Sequence, residues 1–75
     1  MSEPLTIQLN GQPRTLPEIS APTDLASLVQ ALGLKSDRIA IEHNGAIAPR
    51  ATWPTVQIHP NDRLEIVHFV GGGAV

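Results

Sequence analysis

Thr23-Asp24-Leu25-Ala26-Ser27-Leu28-Val29-Gln30-Ala31-Leu32-Gly33 is the stretch that decides the fold. Leu25, Leu28, Val29 and Leu32 fall at i, i+3, i+4 and i+7, which places four apolar side chains on one helical face. Thr23 or Asp24 can cap the start, and Gly33 is the left-handed stop, so the pattern predicts a helix of about three turns. No other segment carries a strong helical period. A single amphipathic helix has to bury its stripe against a sheet, and the rest of the chain must supply that sheet.

On the N-terminal side, Leu5, Ile7 and Leu9 alternate with Thr6 and Gln8, the period of a strand with one buried face. Asn10-Gly11 is a hairpin turn. The return strand is expected over Arg14–Glu18, and because Pro13 and Pro17 lack ladder donors it belongs at a sheet edge. On the C-terminal side, Arg38–Glu42 reads as a short strand, Asn44-Gly45 as a turn and Ala46–Ala48 as a second short segment. Arg50–Thr55 is irregular or one turn of helix. His59-Pro60-Asn61-Asp62 turns the chain again, and Arg63–Val70 is a β-rich run with Leu64 and Ile66 facing inward and Glu65 and Val67 outward. The compact arrangement of these parts is an α+β roll, the β-grasp: a mixed four- to five-stranded sheet packed on one main helix. The helix forms the crossover that lets the last strand run parallel beside the first.

Seventy-five residues make one domain with a small core, since a chain this short buries only about 60% of its unfolded surface. The expected division is a folded domain over residues 1–70 and a glycine-rich tail over 71–75. Without cysteine there is no disulfide framework or thiolate zinc site, and His43, His59 and His68 lack ligand-like spacing. A net charge of −2, with Arg14, Lys35, Arg38, Arg50 and Arg63 spread along the chain, speaks against nucleic acid or an anionic membrane as partner. Neither a signal-peptide pattern nor a membrane-spanning apolar run is present, so the cytoplasm is the expected location.

Catalysis finds little support. Glu42 and His43 are neighbours on a strand and point to opposite faces, so they do not make a base with its orienting carboxylate. His43 reads as a surface or loop residue, and His59 and His68 as structural or interfacial. Trp53 reads as a cap on the small core rather than a binding hot spot. No catalytic residue and no bound metal or cofactor is expected. Gly71-Gly72-Gly73 does not fit a phosphate loop, because no helix and no P-loop lysine follow. A run without side chains can instead thread a narrow channel and present a carboxylate there.

Ile39-Ala40-Ile41-Glu42-His43-Asn44-Gly45-Ala46-Ile47-Ala48-Pro49-Arg50, then Trp53, then Asn61-Asp62-Arg63-Leu64-Glu65-Ile66-Val67-His68-Phe69-Val70-Gly71-Gly72-Gly73 resembles the ThiS family of sulfur carriers in thiamin thiazole synthesis. Ile7-Gln8-Leu9-Asn10-Gly11 is similar too, so the resemblance runs from about residue 5 to residue 73. It implies a carrier whose terminal glycine, Gly73, is adenylated and converted to a thiocarboxylate, with Gly71 and Gly72 as its slender stalk. The implied partners are an E1-like adenylyltransferase of ThiF type that uses ATP, a sulfur-donating desulfurase or rhodanese-type protein, and a thiazole synthase of ThiG type. Val67, His68, Phe69 and Val70 are the expected partner contacts, burial of one of them under the helix being the other reading. Ala74 and Val75 depart from the pattern, since such carriers end in glycine.

Other readings are a molybdopterin-synthase-type small subunit, which Asn44–Arg50 fits less well, a protein-modifying ubiquitin-like tag, and a β-grasp interaction module with an inert tail.

Overall fold

A computed structural model describes residues 4–69. Its strands are β1 (Pro4–Leu9), β2 (Gln12–Ser20), β3 (Thr23–Asp24), β4 (Ile39–His43), β5 (Ala46–Ile47), β6 (Gln57–Ile58) and β7 (Arg63–His68), and its one α-helix is α1 (Leu25–Ala31). Five strands form one sheet in the order β2-β1-β7-β4-β5, while β3 and β6 pair separately. β7 runs parallel to β1 and antiparallel to β4. This is the β-grasp roll, with the final strand in the centre of the sheet.

The first hairpin turns on Asn10 (φ 50°) and Gly11 (φ 83°), the left-handed pair of a type I′ turn. β2 is longer than Arg14–Glu18 and is outermost, where a missing proline donor can face solvent. Pro4 pairs with Ser20 but Leu5 pairs with Leu16, so Pro17, Glu18 and Ile19 bulge out of register. The bulge absorbs the proline that the ladder cannot use.

Asp24 caps α1 through both carboxylate oxygens, accepting from the Ser27 amide at 2.9 Å and from its hydroxyl at 2.7 Å. The helix has seven residues, about two turns rather than the expected three. The cause lies at its end. Gly33 (φ 74°) donates to the Gln30 carbonyl, and Leu34 to that of Val29, the paired bonds of a Schellman stop. Leu32 thereby becomes the cap and is half-buried, whereas Leu25, Leu28 and Val29 are fully in the core.

These three pack with Leu5, Ile7, Leu16, Ile39, Ile41, Ile58, Leu64 and Ile66. Trp53, in the 3-10 turn Arg50–Thr55, is also core, and its indole donates to the Ala48 carbonyl at 2.8 Å. No polar side chain among the described residues is buried.

β7 is held from both sides by asparagine side chains. The Asn10 Oδ1 accepts from the Ile66 amide at 2.7 Å, continuing the ladder after β1 has turned away, and the Asn44 Oδ1 accepts from the Arg63 amide at 2.8 Å. Asn10→Ala would leave the half-buried Ile66 amide without its acceptor and place a Cβ-bearing residue without local hydrogen bonding at positive φ. We expect a loss of about 2 kcal/mol in urea denaturation, and a smaller loss for Asn10→Asp, which keeps an acceptor oxygen. Equal losses for the two variants would count against the hydrogen bond as the cause.

Candidate functional site: the outer face of the last strand

Alternation along β7 sends Leu64 and Ile66 into the core and Glu65 and Val67 to the outside. Val67 is 60% exposed and Phe69, the residue after the strand, 52%. His68 is exposed as well. None of the three is buried under α1. Phe69 donates its amide to the Arg38 carbonyl at 2.9 Å, which fixes the chain beside the start of β4 just before residue 70. Val70, Gly71, Gly72, Gly73 and the expected boundary at residue 70 lie outside the described residues.

The register of the neighbouring strands extends this face. Glu42 lies opposite Glu65 across β4 and β7 and opposite Ile47 across β4 and β5, and Ala40 lies opposite Val67. Residues opposite one another share a face of the sheet, so Ile47, Glu42, Glu65, Ala40 and Val67 form one outer surface. Ile47 is 66% exposed. A cleft of about 360 Å³ lies elsewhere, between α1 and the 3-10 turn, lined by Ala26, Val29, Leu34, Arg50, Trp53 and Pro54 among others. It brings no acid–base pair together.

The histidines are arranged differently from the sequence reading. His43 is half-buried, not a plain surface residue, and its Nε2 lies 2.8 Å from the Asp62 Oδ2. The same carboxylate oxygen accepts from the His59 amide at 2.9 Å and so closes the turn that launches β7. The partner of His43 is thus Asp62 and not Glu42. Nothing in local spacing signals it, because the two residues meet only through the β4–β7 register. Among the described residues no group of three or more His, Asp or Glu side chains could hold a metal ion. The arrangement ties a turn to a strand end.

Burial pushes the Asp62 carboxyl up, but hydrogen bonds from His43, the His59 amide and Asn44, with the His43 charge, outweigh it and hold the group below its ordinary range. A carboxyl lowered on folding adds stability above its unfolded pKa and loses that stability as pH falls through the folded value. The window is therefore below about pH 4. Asp24, lowered mainly by its bonds to Ser27, acts in the same direction. Thermal melts at neutral pH and at about pH 3 should show a smaller acid-induced drop for Asp62→Asn than for the parent. Equal drops would remove Asp62 as a cause.

The fold and this face define a ubiquitin-like β-grasp protein that presents an outward strand just before a glycine-rich segment. The chain belongs to the ThiS family, whose model matches residues 7–73. It is 38% identical over 69 residues to a thiazole synthase of Magnetococcus marinus, covering 92% of this chain and 20% of that protein. A thiazole synthase of Paramagnetospirillum magneticum is 34% identical over 70 residues, with 93% and 21% covered. The chain thus spans about a fifth of the length of these two relatives. Against the uncharacterized protein ycf40 of Porphyra purpurea it is 38% identical, and there 92% of this chain and 93% of the other are covered. The crystal structure of the thiamine biosynthesis protein ThiS from Geobacter metallireducens superposes with a TM-score of 0.78 at 24% identity, covering 92% of this chain and all of that one. That likeness establishes the shared fold. No described helix is long and apolar enough to cross a membrane.

Proposed function

We propose that this chain is a sulfur carrier of thiamin biosynthesis, a protein co-substrate that contributes no acid, base or metal of its own. The observation that carries the reading is the family match, which continues past β7 through Gly73. A carboxylate is a poor electrophile in water. An E1-like partner would attach the AMP portion of ATP to it with release of pyrophosphate, a sulfur donor would displace the AMP, and the resulting thiocarboxylate would pass its sulfur to an intermediate on a thiazole synthase. Gly73 is the proposed sulfur-bearing residue, Gly71 and Gly72 the stalk, and Val67, His68, Phe69 and Val70 the surface nearest the enzymes. The thiazole synthases among the relatives support that partner. The test uses a chain ending at Gly73, incubated with the cognate adenylating enzyme, ATP and a sulfur donor. Intact mass should reveal exchange of one terminal oxygen for sulfur. An unchanged mass under conditions where a known carrier is converted would overturn the proposal.

A further inference from the structure

The outer face of β4, β5 and β7 contains an arrangement that does nothing for the fold. Glu42 and Glu65 stand directly opposite each other across two hydrogen-bonded strands, and both are exposed. Like charges in that position are destabilising. Among the described residues neither carboxylate takes part in an ion pair; Asp62 is the acid that meets basic side chains, those of His43 and His59. Around the two acids the surface is apolar. Ile47 adjoins Glu42, and Val67 follows Glu65 on the same face. Together Ala40, Ile41, Glu42, Ile47, Glu65 and Val67 line a shallow cleft of about 150 Å³.

We infer that this face docks on the thiazole synthase, with an arginine side chain of that enzyme seated between Glu42 and Glu65 and its aliphatic stem along Ile47 and Val67. The inference rests on the carrier reading and adds to it the chemical character of the partner. Charge complementarity carries it: two carboxylates held side by side match the planar, multi-donor guanidinium, and a cation between them converts their repulsion into attraction. A second copy of this chain is a poor occupant, because a symmetric contact through this face would bring four carboxylates together. Among the enzymes that would take Gly73, the relatives point to the synthase. Residues 70–73 span at most about 14 Å when extended, so an enzyme that takes Gly73 must approach the end of the strand carrying Glu65 and Val67. In the two thiazole synthases a segment similar to this chain shares one polypeptide with the enzyme.

The experiment measures binding of the 75-residue chain to purified cognate thiazole synthase by titration calorimetry at low and moderate salt. Glu42→Gln/Glu65→Gln should bind about tenfold more weakly than the parent and lose most of the salt dependence. Glu18→Gln/Asp37→Asn, which changes net charge equally but lies off this face, should bind as the parent does. Relief of the repulsion should leave the first variant at least as heat-stable as the parent, so weaker binding would not reflect unfolding. Equal binding and salt dependence for both double variants would overturn the inference and leave the carrier reading in place. So would a loss of affinity seen with the adenylating enzyme alone, or self-association of the parent that the Glu42/Glu65 variant abolishes. Failure of the parent itself to bind the synthase would remove both.

Discussion

Leu28→Ala is expected to leave the chain largely unfolded at room temperature. Leu28 is wholly inaccessible to solvent, at the centre of the α1 stripe and inside the cluster that joins Ile7, Leu64 and Ile66 to the helix. Truncating a buried leucine costs about 2–5 kcal/mol, from lost transfer energy plus the cavity left behind. A domain of 75 residues has a total stability of roughly 4–11 kcal/mol by the usual per-residue range. The loss is thus a large part of what there is, and no disulfide or metal among the described residues offsets it. Leu32→Ala offers the internal comparison, because the Schellman stop leaves Leu32 only half-buried and its loss should be distinctly smaller. Urea titrations followed by far-ultraviolet circular dichroism would measure both. A cooperative Leu28→Ala transition near that of the parent would show that the core is centred elsewhere.

Local patterns made most of this architecture readable. The 3.6-residue period of Leu25, Leu28 and Val29, the alternation of Leu5 and Ile7 and of Leu64 and Ile66, and the two Asn-Gly turns each depend on a few adjacent residues, and each appears in the structure where the pattern puts it. Features that depend on register were not readable. The β3–β6 pair joins Thr23 and Asp24 to Ile58 and Gln57, two-residue strands too short to show a period. The sequence marks Asn10 and Asn44 as turn residues, yet their side chains also hold β7, through partners 56 and 19 positions away. The same holds for the candidate site. Exposure of Val67 follows from alternation, but the row Ile47, Glu42, Glu65 emerges only once β5, β4 and β7 are aligned.

The prediction with the largest effect concerns Ala74 and Val75. In the 75-residue chain the carboxyl group of Gly73 is engaged in a peptide bond with Ala74, and adenylation requires a free carboxylate. Chemistry at Gly73 is then blocked outright rather than slowed. In a polypeptide made to end at Val75, that residue's carboxylate is a poor substitute, because it lies two residues further along, up to about 7 Å when extended. It also adjoins a β-branched side chain, whose stiff, bulky Cβ crowds the reacting carbon. A channel that admits glycine would have to admit that branch as well. We therefore expect the 75-residue chain to gain no sulfur until Ala74 and Val75 are removed, and the form ending at Gly73 to be converted fully under the same conditions. Parallel reactions with ATP, the cognate adenylating enzyme and a sulfur donor, read by intact mass, would compare the two. Equal thiocarboxylate yields with Ala74 and Val75 still attached would mean that the activating site accepts a branched terminal residue, and the assignment of Gly73 as the sulfur-bearing residue would fall with that result.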